Sequence, residues 1–180
     1  MAQSHGEPLE GADLVLLMLA AQGQPSEEQG RVNGITRLEK LMYLADRESE
    51  LPKSVHQPLE FAAYHYGPYS KQIYEAVEIL ERAGLVEERR VSAGQVLDSL
   101  EDADSGGQDE AEYVERQFLL TDDGRAVAQL LGTQNPNLMK VFGDIKHRFS
   151  SIPLHNLLRY VYRTYPESAE KSKIRDQILQ

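Results

Sequence analysis

Residues 61–90, FAAYHYGPYSKQIYEAVEILERAGLVEERR, decide the fold of this chain. The pattern predicts a short helix, a Tyr-Gly-Pro turn, a longer amphipathic helix and then a strand. Pro68 cannot continue a helix because it lacks an amide hydrogen, and it disfavours the α conformation at Gly67. The order of helix, tight turn, helix and strand is typical of a winged helix-turn-helix.

The longer helix of this stretch has clear start and stop signals. Ser70 is its predicted N-cap, with the hydroxyl accepting a bond from a free amide of the first turn. Gly84 is predicted to end it, and Leu85 with Val86 to begin a strand. The apolar positions follow helical spacing, at Ile73, Val77, Leu80 and Ala83. The polar positions are predicted to face solvent, namely Lys71, Gln72, Glu75, Glu78 and Arg82.

Apolar periodicity predicts the other helices over residues 9–21, 35–48, 121–131, 137–149, 153–165 and 167–179. In the helix over 35–48, four charged residues are predicted to face solvent, namely Arg37, Glu39, Lys40 and Arg47. Residues 22–34 and 51–58 are predicted loops. Residues 85–91 and 115–120 are the two predicted wing strands, with Phe118 and Leu120 alternating with Gln117, Leu119 and Thr121. Thr121 is predicted to cap the helix that follows.

The chain is therefore predicted to be mainly α, with a winged helix-turn-helix, a two-stranded β-wing and a C-terminal helical extension. We predict a winged-helix domain over 9–131 and a helical extension over 132–180 packed on it. Between Val91 and Glu115 there are eight acidic residues and no basic one. Such a segment is too charged to be buried, so residues 92–115 are predicted to be a disordered insertion at the wing tip.

Composition limits the possible functions. The 180 residues carry a net charge of −10, but 21 acidic and 19 basic residues remain outside the acidic insertion, so an anionic partner is not excluded. The absence of cysteine excludes disulfides, thiolate catalysis and cysteine-ligated zinc. No apolar run is long enough to span a membrane and no signal peptide is evident, which predicts a cytoplasmic location and no membrane contact.

No motif indicates catalysis. The five histidines lack the spacing of a helical metal site, and His65 beside the turn is predicted to be structural. No phosphate-binding glycine loop or nucleophile elbow is present. We therefore predict no enzymatic activity, no metal and no cofactor.

The first candidate surface is the start of the longer helix, which would meet DNA in a helix-turn-helix protein. Its candidate DNA-binding residues are Tyr69, Ser70, Lys71, Gln72, Tyr74, Arg82, Arg89 and Arg90. Glu75, Glu78 and Glu81 lie on the same helix and would repel phosphates. An alternative is that Lys71 with Glu75 and Glu78 with Arg82 form i, i+4 pairs on a solvated face.

The second candidate surface would bind a protein. Four tyrosines fall within residues 64–74, and tyrosine is enriched at interface hot spots, although turn packing is the alternative. The C-terminal helices would close the core, or serve as a dimer arm or partner site, and we predict a homodimer. The candidate partner-binding residues are Tyr64, Tyr66, Tyr69, Tyr74, Arg159, Tyr162 and Arg163.

Two short motifs carry a resemblance to a known family. LEKLMYLAD at residues 38–46 and YHYGPYS at residues 64–70 resemble the Panacea (SocA-like) antitoxin domain and its bacterial and archaeal winged-helix relatives. The likeness covers residues 14–175. It implies an antitoxin or adaptor that neutralises a partner protein, or a regulator, and it carries over no catalytic residues. We predict a non-catalytic regulatory protein that binds DNA through the helix over residues 70–81 as a transcriptional regulator. The alternative is an antitoxin-like or adaptor protein that binds a partner protein instead of DNA.

Overall fold

The structure is a computed structural model that describes residues 8–23, 29–49, 51, 59–92 and 114–180. Over these ranges the protein is mostly helical, with a small antiparallel sheet. Its helices are α1 (Gly11–Ala20), α2 (Ile35–Glu48), α3 (Lys71–Arg82), α4 (Asp122–Gln134), α5 (Pro136–Phe149), α6 (Leu154–Thr164), the 3-10 helix Pro166–Ala169 and α7 (Arg175–Leu179). Its strands are β1 (Arg31–Asn33), β2 (Ala62–Tyr64), β3 (Gly67–Tyr69), β4 (Val86–Ser92) and β5 (Val114–Leu120).

One hydrophobic core joins the helices to the sheet. Helix α1 lies at its centre, because six consecutive residues from Leu14 to Leu19 are buried and pack against α3, α4 and α5. Helix α2 packs against α5 and α6. The helix predicted over 35–48 is confirmed. Its apolar stripe repeats over four turns, and burying this stripe against the core stabilises the helix.

Strand β5 is the centre of a three-stranded sheet, between β1 and β4. The two predicted wing strands are confirmed, with a register that runs from Val86 opposite Leu120 to Ser92 opposite Val114. Phe118 and Leu120 point into the core, as their alternation predicts. The predicted disorder of the acidic insertion concerns residues that lie largely outside the described ranges.

The short helix predicted before Gly67 is wrong. Strands β2 and β3 form an antiparallel hairpin there, with Ala62 opposite Tyr69 and Tyr64 opposite Gly67. Gly67 has a φ of +94°, which a glycine tolerates at the end of a tight turn. A helix of about five residues before Pro68 would complete hardly any i to i−4 bonds, whereas the hairpin pairs the same backbone groups across two strands.

The prediction of a loop over residues 22–34 is also wrong in part, because Arg31–Asn33 form β1. This strand has only three residues, and its pairing with Gln117–Leu119 of β5 is a contact with the other half of the chain. A strand of this length carries no periodicity of its own.

The predicted solvent exposure of Arg37, Glu39 and Lys40 is wrong, whereas Arg47 is exposed. Their neighbours supply the partners that burial requires. Arg37 donates to the carbonyl oxygens of Phe149 and Ile152, at 3.3 and 2.7 Å, and thereby caps the C-terminal end of α5. Buried Lys146 does the same for α1, donating to the carbonyl of Leu19 at 2.9 Å.

The predicted helix ends are mostly confirmed. Ser70 occupies the N-cap position of α3, but its hydroxyl bonds to Gln72 instead of capping, because the side chain is fully buried. Gly84 ends the helix with a φ of +71°, and the amide of Leu85 donates to Leu80 at 2.9 Å. Ala83, predicted on the apolar stripe, is exposed. Thr121 caps α4 as predicted, accepting from Gly124 at 3.0 Å.

The predicted helix over 167–179 is wrong, although α5 and α6 lie within a residue of their predicted bounds. The 3-10 helix and α7 are separated by turns in this segment. The backbone amide of Lys173 donates to the carbonyl of His65 at 2.9 Å, which an α-helical Lys173 would direct to its own helix. Residues 170–174 therefore lie against the β2–β3 hairpin instead of continuing a helix.

Candidate functional site

The aromatic rings of Tyr64, His65, Tyr69 and Tyr74 form a continuous surface on the β2–β3 hairpin and the first turn of α3, here called the tyrosine face. Tyr64 stacks on His65 with ring centroids 4.2 Å apart, and it lies 5.0 Å from Tyr69. Tyr69 in turn lies 5.3 Å from Tyr74. Tyr64 is 43% exposed, whereas Tyr69 and Tyr74 are half-buried.

A buried group of four residues, here called the clamp, fixes the tyrosine face to α2. Lys40 donates from Nζ to the carbonyl of Pro68 at 3.0 Å, and lies 3.3 Å from the Glu39 carboxylate. Glu39 accepts from the amide of Ser70 at 3.1 Å. The clamp therefore satisfies a carbonyl and an amide on either side of Tyr69, and it sets where that ring emerges.

The C-terminal segment supports the hairpin from a second side. The ring of Tyr162 lies directly against Gly67, where an added Cβ would be 2.8 Å from Cε1. The Tyr162 hydroxyl shares a 2.9 Å hydrogen bond with Ser172, and burial raises the pKa of Tyr162. Together with the bond from Lys173 to His65, these contacts hold the turn of the hairpin in one position.

Each cation proposed for DNA contact lies in an ion pair. Lys71 is 2.7 Å from Glu75, and Arg82 is 3.3 Å from Glu78, which confirms the predicted i, i+4 pairs. Arg89 pairs with Glu87 at 2.5 Å, and Arg90 with Glu88 at 3.3 Å. The hydrogen bond from Glu75 raises the pKa of Lys71, in keeping with that partnership.

The remaining DNA candidates are less available. Ser70 is fully buried in the clamp, and Gln72 is half-buried and bonded to the Ser70 hydroxyl at 2.9 Å. Tyr69 and Tyr74 belong to the tyrosine face. Tyr69 and Tyr74 therefore lie together in an aromatic surface, whereas Arg89 and Arg90 of β4 lie in ion pairs.

The partner-binding candidates lie in three different environments. Tyr64, Tyr69 and Tyr74 are brought together, and Tyr66 is half-buried beside them in the turn. Tyr162 is a core residue, 2% exposed. The remaining two are arginines of α6: Arg159 donates to the carbonyl of Ile178 at 2.9 Å, and Arg163 is exposed.

An open hollow of about 380 Å³ borders the tyrosine face, and sequence reasoning missed it. Phe61 and Tyr69 supply its aromatic part, and Phe61 is itself held by an edge contact with Tyr43, 5.1 Å between centroids. Glu60, Lys71 and Glu75 supply its charges. Glu60 has no distinctive sequence context, so no local signal would have found it.

A second open hollow, of about 590 Å³, lies where α1, α4 and the start of α5 meet, and Arg125 and Met139 line it. The exposed side chain of Leu130 follows on the outer face of α4, 62% exposed. Among the described residues, no group of three or more His, Asp or Glu side chains could hold a metal ion. No helix within the described ranges combines the length and apolarity needed to cross a membrane.

The sequence matches no protein-family model, and a search of curated proteins finds no significant relative. Function must therefore be inferred from the tyrosine face and its surroundings.

Proposed function

We propose that this protein is a non-catalytic regulatory protein of the winged-helix type, and that it binds a partner protein through the tyrosine face. The element order supports the winged-helix assignment, because α1, β1, α2, α3, β4 and β5 follow one another with β1 pairing to β5. The β2–β3 hairpin is then an insertion between the second and third helices.

The observation that carries the proposal is an exposed aromatic surface that is rigidly supported from below. Tyrosine and other aromatic residues dominate the energy of protein interfaces. Side chains that are already ordered lose less conformational entropy on binding than free ones. The clamp and Tyr162 hold the backbone on both sides of Tyr69, at Gly67, Pro68 and Ser70.

Charge favours a protein partner over DNA. DNA binding depends on cations that replace the counterions of phosphates. On α3 and β4 the candidate cations are already paired with carboxylates. A phosphate would have to compete with those carboxylates for each cation and would be repelled by the carboxylate it displaced.

The resemblance to the Panacea antitoxin domain is compatible with either candidate, since it implies an antitoxin or adaptor, or a regulator. The second candidate, a transcriptional regulator that binds DNA through α3, has one specific observation in its favour. Helix α3 occupies the place of a recognition helix, with exposed Lys71 in its first turn. Homodimerisation is compatible with both candidates.

A photo-crosslinking experiment tests the proposal. A benzoylphenylalanine residue in place of Tyr64 should give a discrete adduct with another protein in the native cells. The same residue in place of Leu130, which is exposed on α4, is the control, and its exposed fraction of 62% exceeds the 43% of Tyr64. Identical adduct patterns at both positions would contradict the proposal, and an adduct of twice the mass of the chain would assign the face to a homodimer.

A fluorescence titration against the upstream DNA of the gene, at two salt concentrations, tests the second candidate. Submicromolar binding that weakens with salt and is lost in Lys71→Glu would establish DNA recognition by α3. We expect no binding at low salt, where attraction to phosphates is strongest.

A further inference from the structure

We propose that the hollow beside the tyrosine face binds the cationic side chain of a basic residue, best an arginine, of the partner protein. This inference rests on the proposed function, because it assigns a chemistry to the part of the partner that meets the tyrosine face. Glu60, Phe61, Tyr69, Gln72 and Glu75 are the residues that would make contact.

Charge is the first argument. The hollow contains two carboxylates and one ammonium group, and the ammonium group of Lys71 is committed to Glu75 at 2.7 Å. Glu60 is exposed, and none of the ion pairs between described residues involves it. Among the described residues, one negative charge at the hollow is therefore left without an ion-pair partner.

The shape and chemistry of the walls favour arginine. A guanidinium group is planar, stacks on aromatic faces and donates two parallel hydrogen bonds to one carboxylate. Tyr69 and Phe61 offer aromatic surface, and Glu60 offers a carboxylate on the same hollow. The volume of about 380 Å³ accommodates one long side chain but not a folded element.

An NMR titration of the isotope-labelled protein with N-acetyl-arginine-N-methylamide tests the inference. The expected result is a set of amide shifts that saturates and that maps to residues 60–75. The citrulline analogue has nearly the same shape without the charge, and the norleucine analogue is apolar. Equal shifts with either analogue, or arginine shifts that map elsewhere, would overturn the inference.

Substitutions sharpen the test. Glu60→Gln should weaken the binding of the arginine probe about fivefold, the order of effect of losing one partly exposed ion pair. Glu78→Gln is the matched control, because Glu78 is an exposed carboxylate of α3 outside the hollow, and it should leave affinity unchanged. Equal effects of the two substitutions would mean a general charge effect and would refute a specific site.

The two proposals fail in different experiments. A partner crosslinked at Tyr64 together with an absence of arginine binding would overturn only the inference that the hollow binds a cationic side chain. Specific arginine binding without any adduct at Tyr64 would overturn the proposed function and, with it, the assignment of the hollow to a partner protein.

Discussion

Lys40 Nζ lies 3.0 Å from the carbonyl oxygen of Pro68, and this bond joins the middle of α2 to the strand that presents the tyrosine face. Lys40 is only 1% exposed, so its charge depends on that carbonyl and on the neighbouring Glu39 carboxylate. A buried cation that donates to a backbone carbonyl positions that backbone more firmly than apolar contact, which is non-directional.

Removing this cation should destabilise the fold strongly. Lys40→Met removes a cation 3.3 Å from the buried carboxylate of Glu39, and we expect a loss of about 3–5 kcal/mol in the free energy of unfolding, measured by urea denaturation. Lys140→Met is the control, because its partner Asp144 and Lys140 itself are exposed, and it should cost less than about 0.5 kcal/mol.

A double variant separates charge from packing at this position. Glu39→Gln with Lys40→Met removes both charges and keeps an amide oxygen that accepts from Ser70. It should recover at least about 1 kcal/mol relative to Lys40→Met alone. A double variant less stable than the single one would show that the ion pair is not the source of the loss.

Alanine substitutions of Gly67, in the turn of the hairpin, and of Gly84 should differ in their cost to stability. Gly67→Ala should cost about 3 kcal/mol, because it combines a left-handed backbone with a contact of 2.8 Å to the ring of Tyr162. Gly84→Ala has the same kind of backbone and open space around it, and should cost about 1 kcal/mol. Equal costs in thermal or urea unfolding would mean that Tyr162 does not press on the turn.

Two helical glycines should respond with opposite signs. A Cβ on Gly124 would lie 1.9 Å from the backbone oxygen of Leu85, which cannot move without breaking the start of β4. Gly124→Ala should therefore cost more than about 3 kcal/mol. Gly143→Ala meets only ordinary contact with Gln22 at 3.4 Å and should stabilise α5 by about 0.5–1 kcal/mol. Destabilisation by both would contradict this packing.

Acid should weaken the wing through Glu88. The hydrogen bond from Arg116, 2.6 Å long, lowers the pKa of Glu88 below its ordinary value of 4.5. A carboxyl whose folded pKa is lowered contributes stability above its unfolded pKa and loses it as pH falls through the folded pKa. Wild type should therefore lose more unfolding free energy than Glu88→Gln between about pH 6 and pH 3.

Arg116→Gln provides the complementary measurement, since it removes the donor and keeps the carboxyl. It should show a shallow acid dependence like that of Glu88→Gln. If both variants follow the wild-type curve, the acid sensitivity comes from other carboxyls.

Local pattern predicted α1 to α6 because each of these helices carries its own signal. Helix α2 has an apolar stripe over four turns, and α4 has a threonine cap with a glycine three residues on. Strand β1 and the β2–β3 hairpin carry no such signal, because their three-residue strands depend on register with distant partners. The orientation of Glu39 and Lys40 also depends on tertiary contacts, and simple polarity places them on the wrong side.

The candidate site was partly predictable for the same reason. Tyr64, Tyr69 and Tyr74 are close in sequence, so their proximity in space follows from almost any compact arrangement. The ion pairs of Lys71 and Arg82 follow from helical spacing. The position of the hollow depends on the contact between Phe61 and Tyr43. Tyr162, which contacts Gly67, is distant from it in the sequence. No local sequence pattern predicts either contact.

The bond from Lys173 to His65 has a consequence for biosynthesis. Tyr162, Ser172 and Lys173 lie far downstream of the hairpin in the sequence, so during translation the hairpin emerges before these supports do. Chains fold as their segments leave the ribosome, from the N-terminus onward. The tyrosine face is therefore supported in full only after residues 162–173 have left the ribosome, and a nascent chain that has not yet exposed them lacks part of the support for the surface that we assign to partner recognition.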